Sequence, residues 1–434
     1  MMVDVADDQG RRHAPVSFRI LLVEDSAFFA AAVRRQIEAI EGVEVDHAAT
    51  LAEARKLIEN RQHLYSLAVL DVILPDSTDA EVVDLCTREE IPSLVFTSIV
   101  SEDFRERLMS MKVIDYIIKD NPASLSILAS VIARILRNRV TKAMIVDDSK
   151  TAREYIGDLL SHYQFQVFKA AGGKEALEIL SEHPDIRLVV TDYHMPHMNG
   201  VEMIRAIRQN HQREELAIVG ISAGGGSATA AMFIKHGAND YITKPFLREE
   251  FFFRINQNMD TLDLLSAYKR AANHDFLTGL YNRRHLTEVG TKLYASQKRG
   301  KLTVAAVLLD LDFFKDVNDR FGHDIGDAAL VAVADRLRLT TRETDIVARM
   351  GGEEFGILAV NLAPDHEEAY FERLRTAIAE LRIPAGDRII TVTASLGVCT
   401  KPFDSLKDML HAADRALYDA KAKGRNCVVR ATSP

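Results

Sequence analysis

Gly351-Gly352-Glu353-Glu354-Phe355 lies between two strand-like runs, Thr344-Asp-Ile-Val-Ala-Arg-Met350 before it and Phe355-Gly-Ile-Leu-Ala-Val360 after it. Two such runs joined across paired glycines read as a β-hairpin with the glycines at the turn. Without a Cβ, the turn lets a bulky anion approach the backbone. Glu353 and Glu354 stand at its mouth. Carboxylates beside an anion site make physical sense when a divalent cation lies between them. A second stretch supplies another carboxylate. Val304-Ala-Ala-Val-Leu-Leu-Asp310 is a continuous apolar run, the pattern of a buried strand that delivers an acid at its end.

After Asp310 come Leu311, Asp312, Phe313, Phe314, Lys315 and Asn318, then Phe321-Gly-His-Asp-Ile-Gly-Asp327. Together with Arg349-Met-Gly-Gly-Glu-Glu-Phe355, this region resembles a GGDEF-type diguanylate cyclase. An opening signature, His274-Asp-Phe-Leu-Thr-Gly-Leu-Tyr-Asn-Arg283, and a closing one, Tyr418-Asp-Ala-Lys-Ala-Lys-Gly-Arg-Asn426, extend the resemblance over residues 272 to 430. Five letters alone carry little weight; several separate signatures in the family's order carry much more.

Composition bounds the rest. A chain of 434 residues should hold about three domains. A net charge of −9 and a pI near 5.9 argue against a general nucleic-acid binder, DNA included. The 3 cysteines are widely spaced and suggest a reducing compartment without a disulfide framework. Residues 1–17 are polar and of mixed charge, lack an apolar signal core and read as a disordered tail; no run is long enough to span a bilayer. The expectation is a cytoplasmic protein.

Residues 18 to 258 contain an internal repeat. Arg19-Ile-Leu-Leu-Val-Glu-Asp-Ser26 returns as Ala143-Met-Ile-Val-Asp-Asp-Ser149. Leu67-Ala-Val-Leu-Asp71 returns as Leu188-Val-Val-Thr-Asp192, and Asp115-Tyr-Ile-Ile-Lys119 as Asp240-Tyr-Ile-Thr-Lys244. Each copy alternates short apolar strands with helical stretches such as Phe28–Glu38 and Thr151–Tyr163, which predicts a parallel sheet with helices on both faces. The acids then collect at the carboxyl ends of the strands, where such folds place their chemistry. A lone Asp there is ordinarily a turn or helix cap; two full sets in one order are not.

These units resemble response-regulator receiver domains. The resemblance implies phosphoacceptors at Asp71 and Asp192, and Mg²⁺ held by Glu24 and Asp25, or by Asp147 and Asp148, with the acceptors and the backbone carbonyls of Ile73 and His194. It implies that Lys119 and Lys244 contact the phosphoryl oxygens. Thr97 and Ser222 supply the hydroxyl that follows the phosphoryl group, and Tyr116 and Tyr241 report the switch. The first copy departs from pattern, with Asp120-Asn-Pro after Lys119 where the second has Pro245, and no counterpart of Gly237. Gly224-Gly-Gly226, after Ser222, reads as a mobile loop. A sensor histidine kinase or phosphotransfer protein is the implied donor.

The expected architecture is α/β: two tandem flavodoxin-like receivers at 18–139 and 140–258, a helical linker at 259–274, and a mixed α/β GGDEF domain at 275–434. Ala123–Asn138 carries an amphipathic stripe. Leu247–Ala272 carries Phe251, Phe252, Phe253, Ile255, Met259, Leu262, Leu265 and Tyr268, without Pro or Gly. Its Phe251–Ile255 half is expected to pack on the receiver and the part beyond Met259 to couple to the cyclase, its apolar face pairing with a second copy.

For the last domain the resemblance implies GTP as substrate and Mg²⁺ as cofactor. Asp310, the Leu311 carbonyl and Glu353 hold the metal, with Glu354 serving a second ion or the 3′ hydroxyl. Asn318 and Asp327 read the guanine edge, for which a carboxylate is a suitable acceptor. Backbone amides at Phe313, Phe314 and Lys315 cradle the terminal phosphates. Lys421 and Arg425 add positive charge. Leu406, Met409, Leu410, Ala413, Leu417 and Ala420 form a helical stripe that Gly424 can end, which places Lys421 in its last turn. Cations there also compensate a helix dipole. Arg342, Asp345 and Arg373 match the family's inhibitory product site; a surface ion pair is the plainer alternative. The function implied is a phosphorylation-regulated, homodimeric nucleotidyltransferase that makes cyclic di-GMP and is inhibited by it. A catalytically silent cyclic di-GMP sensor and a phosphate sink are the competing readings.

Overall fold

The computed structural model describes residues 18–60, 65–77, 80–98, 104, 107–108, 111–121, 123–223, 227–386 and 388–432. The N-terminal stretch 1–17 and Gly224–Gly226, both singled out above, lie outside them. The chain divides into two compact units, residues 1–266 and 267–434.

In the first unit the apolar runs become fully parallel sheets. Strands β1 (Phe18–Val23), β2 (Val43–Ala48), β3 (Leu67–Leu70), β4 (Ser93–Thr97) and β5 (Asp115–Ile118) lie in the order β2-β1-β3-β4-β5. The repeat copies this order with β6 (Lys142–Val146), β7 (Gln166–Ala170), β8 (Ile186–Asp192), β9 (Ala217–Ala223) and β10 (Asp240–Lys244), arranged β7-β6-β8-β9-β10. The central strands are apolar on both faces because helices cover both, as an all-parallel sheet requires.

The helices Ala27–Glu38 and Lys150–His162 start at matching caps, Ser26 and Ser149, whose hydroxyls accept from Phe29 and Ala152 backbone N–H. The two receivers share one core layer. Leu128, Ile132 and Ile135 of the helix Ala123–Asn138 meet Ile156, Leu160 and Tyr163 of the second receiver and Phe251, Phe252 and Ile255 of the helix Arg248–Asn273. Tyr163 stacks on Phe252 with ring centroids 4.1 Å apart.

Packing along Arg248–Asn273 corrects the expected stripe. Burial continues past Ile255 to Met259 and Leu262, whereas Leu247, Phe253, Leu265 and Tyr268 are exposed. Charge fixes the end of the packed stretch. Asp263 accepts from Arg134 at 2.7 Å and Arg187 at 2.8 Å, and Asp260 also pairs with Arg134. Arg134 is buried, so these contacts compensate a cation removed from water.

The second unit has a six-stranded mixed sheet. Its strands are β11 (Tyr281–Asn282), β12 (Val304–Leu311), β13 (Ile346–Gly351), β14 (Glu354–Val360), β17 (Ala394–Cys399) and β18 (Val428–Arg430), with a separate ribbon of β15 (Ile383–Ala385) and β16 (Arg388–Ile390). The order is β11-β13-β14-β12-β17-β18, antiparallel through its centre. Alternation along β12 divides the cores. Ala305, Val307, Leu309 and Leu311 pack with the helices His323–Thr340 and Glu367–Ala379. Val304, Ala306 and Leu308 pack with Arg283–Lys298 and Leu406–Ala422 on the other face. No helix among the described residues is long and apolar enough to cross a membrane.

Candidate active site and phosphoacceptor pockets

Strands β13 and β14 form the hairpin expected of the paired glycines. Gly351 has φ +143° and Gly352 φ +53°, and a Cβ on either would meet open space. Backbone conformation, rather than crowding, therefore demands glycine at the turn. Arg349 fastens it from below, its Nε donating to the Gly352 carbonyl at 2.9 Å and its Nη1 to Asp275 at 3.0 Å. Burial tends to raise the Asp275 pKa, but bonds from Thr278 and Arg349 outweigh it and hold the carboxyl below its ordinary value. The opening signature is thus tied to the paired-glycine turn.

Asp310 stands opposite Glu354 in the β12–β14 pair, and the Leu311 N–H donates to the Glu353 carbonyl at 3.3 Å. Lys421 reaches Asp310 at 2.7 Å from the helix Leu406–Ala422. Burial raises the Asp310 pKa; Lys421 opposes the rise, while Glu353 and Asp312 reinforce it. Glu354 is raised by burial and then by Asp310, with Asp414 and Glu353 adding to it. Mutual repulsion among hard oxygen donors fits a Mg²⁺ site.

Phe313 takes a left-handed conformation, φ +56°, ahead of the helix Phe314–Phe321, and Arg425 lies over its ring at 4.4 Å. Those two predicted phosphate contacts therefore meet, and Lys315 is exposed beside them. Asn318 leans on Gly326, where an added Cβ would come 1.9 Å from its Oδ1. Gly326 thereby leaves room for Asn318 beside Asp327, which is exposed.

The sequence motifs assign Asp312 no role. Its carboxylate accepts from Thr393 and Ser395, each at 2.7 Å, and from the Asn426 N–H at 3.0 Å. It anchors the Gly424-Arg425-Asn426 segment beside the strand end. Nothing local signalled this, because the partners lie more than 80 residues away.

The predicted product-site trio gathers around Tyr370, and its members differ in exposure. Arg342 and Arg373 are exposed, but Asp345 is buried. Its oxygens accept from Tyr370 Oη at 2.7 Å, the Arg342 N–H at 3.0 Å and the Val360 N–H at 3.1 Å. Asp345 shapes the turn that displays Arg342 through these internal partners. Arg373 donates to the Thr340 carbonyl at 3.1 Å and lies over the Tyr370 ring at 5.3 Å.

In the first receiver, Glu24, Asp25 and Asp71 offer ligand oxygens all within 4.8 Å of one another, alone among the described residues. Lys119 bridges Glu24 and Asp71, each at 2.5 Å. Burial raises the Glu24 pKa; Lys119 opposes this and Asp71 adds to it. In the second receiver, Lys244 bonds Asp192 at 2.8 Å and Asp147 at 3.0 Å, while Asp148 is exposed. Burial pulls the Lys244 pKa down, but Asp192 and Asp147 outweigh it and leave it raised.

Ile73 and His194, two residues past each acceptor, donate backbone N–H to it at 3.0 and 2.7 Å. Thr97 and Ser222 are buried at the ends of β4 and β9, and Tyr116 and Tyr241 follow on the neighbouring strands. Ser222 Oγ and Tyr241 Oη are buried without a hydrogen-bond partner among the described residues.

The family described as "Response regulator receiver domain" matches residues 20–129 and 143–256, and "Diguanylate cyclase, GGDEF domain" matches 272–427. The chain is a response regulator carrying a GGDEF domain. This GGDEF response regulator is 28% identical over 299 residues to Response regulator PleD of Caulobacter vibrioides, covering 66% of this chain and 65% of that one. It thus spans just under two thirds of that relative's length. Diguanylate cyclase VdcA of Vibrio cholerae is 35% identical over 195 residues, 42% of this chain and 56% of its own. A solved two-component system response regulator/GGDEF domain protein matches with a TM-score of 0.53 at 34% identity, covering 57% of this chain and 100% of that one.

Proposed function

We propose that this response regulator condenses two GTP into cyclic di-GMP and two pyrophosphates, with phosphorylation of its receivers setting the rate. The observation that carries the reading is the joint placement of Asp310, Glu353 and Glu354 with Lys421 and Arg425 at one strand end. In the reaction each 3′ hydroxyl attacks the other nucleotide's α-phosphorus. Two phosphodiester bonds form, two P–O bonds to pyrophosphate break, and both hydroxyl protons leave. Such chemistry depends on positioning and charge stabilisation.

Asp310, Glu353, Glu354 and the Leu311 carbonyl would hold Mg²⁺, which when bound neutralises triphosphate charge. Lys421 and Arg425 receive the β- and γ-phosphates, and Asn318 with Asp327 selects guanine. Each domain presents one nucleotide, so two copies of the chain must meet for turnover. At the receivers, Asp71 and Asp192 are the acceptor carboxylates for a histidine kinase or phosphotransfer donor, and the same acidic pockets suit Mg²⁺. Product feedback falls to Arg342, Asp345 and Arg373, with Asp345 also holding the turn that displays Arg342.

Glu353→Ala should lower cyclic di-GMP formation from GTP and Mg²⁺ by more than about a hundredfold, because an electrostatic group at the reacting phosphorus is lost. Near-normal turnover would remove Glu353 from the metal site. Arg342→Ala should leave the initial rate similar and weaken inhibition by added product; unchanged inhibition would place product binding elsewhere.

A further inference from the structure

Three consecutive residues past the helix Leu406–Ala422 hold left-handed backbone: Gly424 at φ +111°, Arg425 at +66° and Asn426 at +45°. Glycine takes this conformation freely, whereas arginine takes it at a cost. Residues other than glycine persist there when their surroundings over-determine them. Two bonds hold the main chain of the turn. The Arg425 N–H donates to the Ala420 carbonyl at 3.1 Å, and the Asn426 N–H donates to Asp312 at 3.0 Å.

A third hold comes from a different element. Arg375, on the helix Glu367–Ala379, donates from Nη1 to Asn426 Oδ1 at 2.8 Å across 51 positions of sequence. The plain reading of Arg375 is a helix-surface ion pair with Glu372, three positions back, but such a pair uses only part of the guanidinium fork. Its Nε donates to Glu372 at 2.8 Å and its Nη2 to the Thr376 hydroxyl at 3.3 Å, so the fork is already oriented where Nη1 meets Asn426. The helix beneath it is a firm base. Tyr370, Phe371, Leu374 and Ile378 bury it in the core, and Glu367 pairs at 3.4 Å with Arg430, on the strand that follows the turn. Arg373 leaves the same helix about 200° away, toward Thr340 and Tyr370, and so serves other neighbours.

We propose that Arg375 is a positioning residue of the cyclase site: through Asn426 it fixes the Gly424–Asn426 turn so that Arg425 meets the β- and γ-phosphates of GTP. This rests on the cyclase reading above, in which Lys421 and Arg425 receive those phosphates. Arg425 lies over the Phe313 ring at 4.4 Å, a contact through the face of the guanidinium that leaves its edge donors for a ligand. Its direction is set by the main chain beneath it, and the next side chain along that main chain is the one Arg375 holds. Freed from Arg375, the turn relaxes from its left-handed conformation and the Arg425 guanidinium swings off the phosphates. The effect is confined to ligands that reach the turn, namely those carrying β- and γ-phosphates.

The test is a double-substitution cycle on the full chain: Arg375→Ala, Asn426→Gly and the two together. Glycine at 426 removes the acceptor while keeping the N–H to Asp312 and suiting the positive φ. Binding of 3′-deoxy-GTP, which lacks the attacking hydroxyl, is titrated with Mg²⁺ by calorimetry. Binding of GMP, which lacks the two outer phosphates, is followed by ligand-observed NMR, which reaches weak affinities. Each single substitution should weaken 3′-deoxy-GTP about fivefold or more, the net worth of one hydrogen bond, and leave GMP within about twofold. In turnover the half-saturating GTP concentration should rise with little change in kcat. The pair should lose no more than about twofold beyond the weaker-binding single, because both residues act through one bond. Unchanged 3′-deoxy-GTP affinity in Arg375→Ala would overturn the assignment. So would an equal loss of GMP, which marks general damage to the domain, or losses that multiply in the pair, which mark an Arg375 charge acting by itself. A wild type that binds 3′-deoxy-GTP yet makes no product would remove the cyclase reading, and the binding cycle would still decide the role of Arg375.

Discussion

The two receivers share a strand order and an acid-plus-lysine pocket, and they differ in how the lysine is held. Lys119 is 4% exposed, locked between Glu24 and Asp71 and lying 5.0 and 5.2 Å from the ring centroids of Phe29 and Phe96. Lys244 is 25% exposed. The next helix begins four residues after the lysine in both copies, at Ala123 and at Arg248, so its start does not set the difference. The rings do: where the first copy has Phe29 and Phe96, the second has Ala152 and Ile221. The ladder of a duplicated fold can therefore be kept while access to its acceptor carboxylate is retuned by a few side chains around the lysine.

The comparison breaks most visibly in stability. Lys119→Ala strands two buried carboxylates and should cost about 3–5 kcal/mol, whereas Lys244→Ala should cost about 1 kcal/mol or less. Urea unfolding of each variant in Mg²⁺-free buffer measures both; equal costs would erase the distinction.

A second contrast lies at the start of the fifth strands. Asp240 has Arg254 at 3.4 Å and Asn258 at 3.3 Å. Burial instead pushes Asp115 up to about 6, with the Tyr116 N–H and the Arg248 charge opposing the rise only in part. A carboxyl raised above its unfolded value of about 3.9 favours the native state when protonated, and this advantage fades as pH climbs from about 4 to 6. Asp115→Asn should therefore gain on the wild type by about 2 kcal/mol across that window, seen as a diverging urea midpoint. A pH-independent difference would mean that Asp115 ionises normally.

The smallest effect concerns loading. With acetyl phosphate as donor, Asp71→Asn chain should acquire its phosphoryl group about tenfold faster than Asp192→Asn chain, equivalent to about 1.4 kcal/mol of barrier from displacing the buried Lys119. Intact-protein mass spectrometry over time reads both rates, and equal rates would show that lysine burial does not limit access.

Much of this was legible in the chain. Period and repeat revealed both parallel sheets, since an apolar run ending in Asp71 or Asp192 is a local pattern. The glycine pair likewise announced its hairpin. What stayed hidden depended on distant partners. The bonds of Asp345 to Tyr370 and the Val360 N–H join residues 25 and 15 positions apart, which no local pattern shows. The packed part of Arg248–Asn273 extends to Leu262 because Arg134 and Arg187 meet Asp263 from two different receivers. The bond from Arg375 to Asn426 crosses 51 positions of sequence, beyond the reach of any periodicity.

The central claim is that the receivers govern cyclic di-GMP synthesis, chiefly through the more open pocket. Its most direct test is product formation from GTP and Mg²⁺, with and without a beryllofluoride phosphoryl mimic, by the wild type and Asp192→Asn. The account predicts that the mimic raises the wild-type rate severalfold and that Asp192→Asn loses most of the rise while keeping its basal rate. Product formation that ignores the mimic in both chains, or full stimulation of Asp192→Asn, would contradict it.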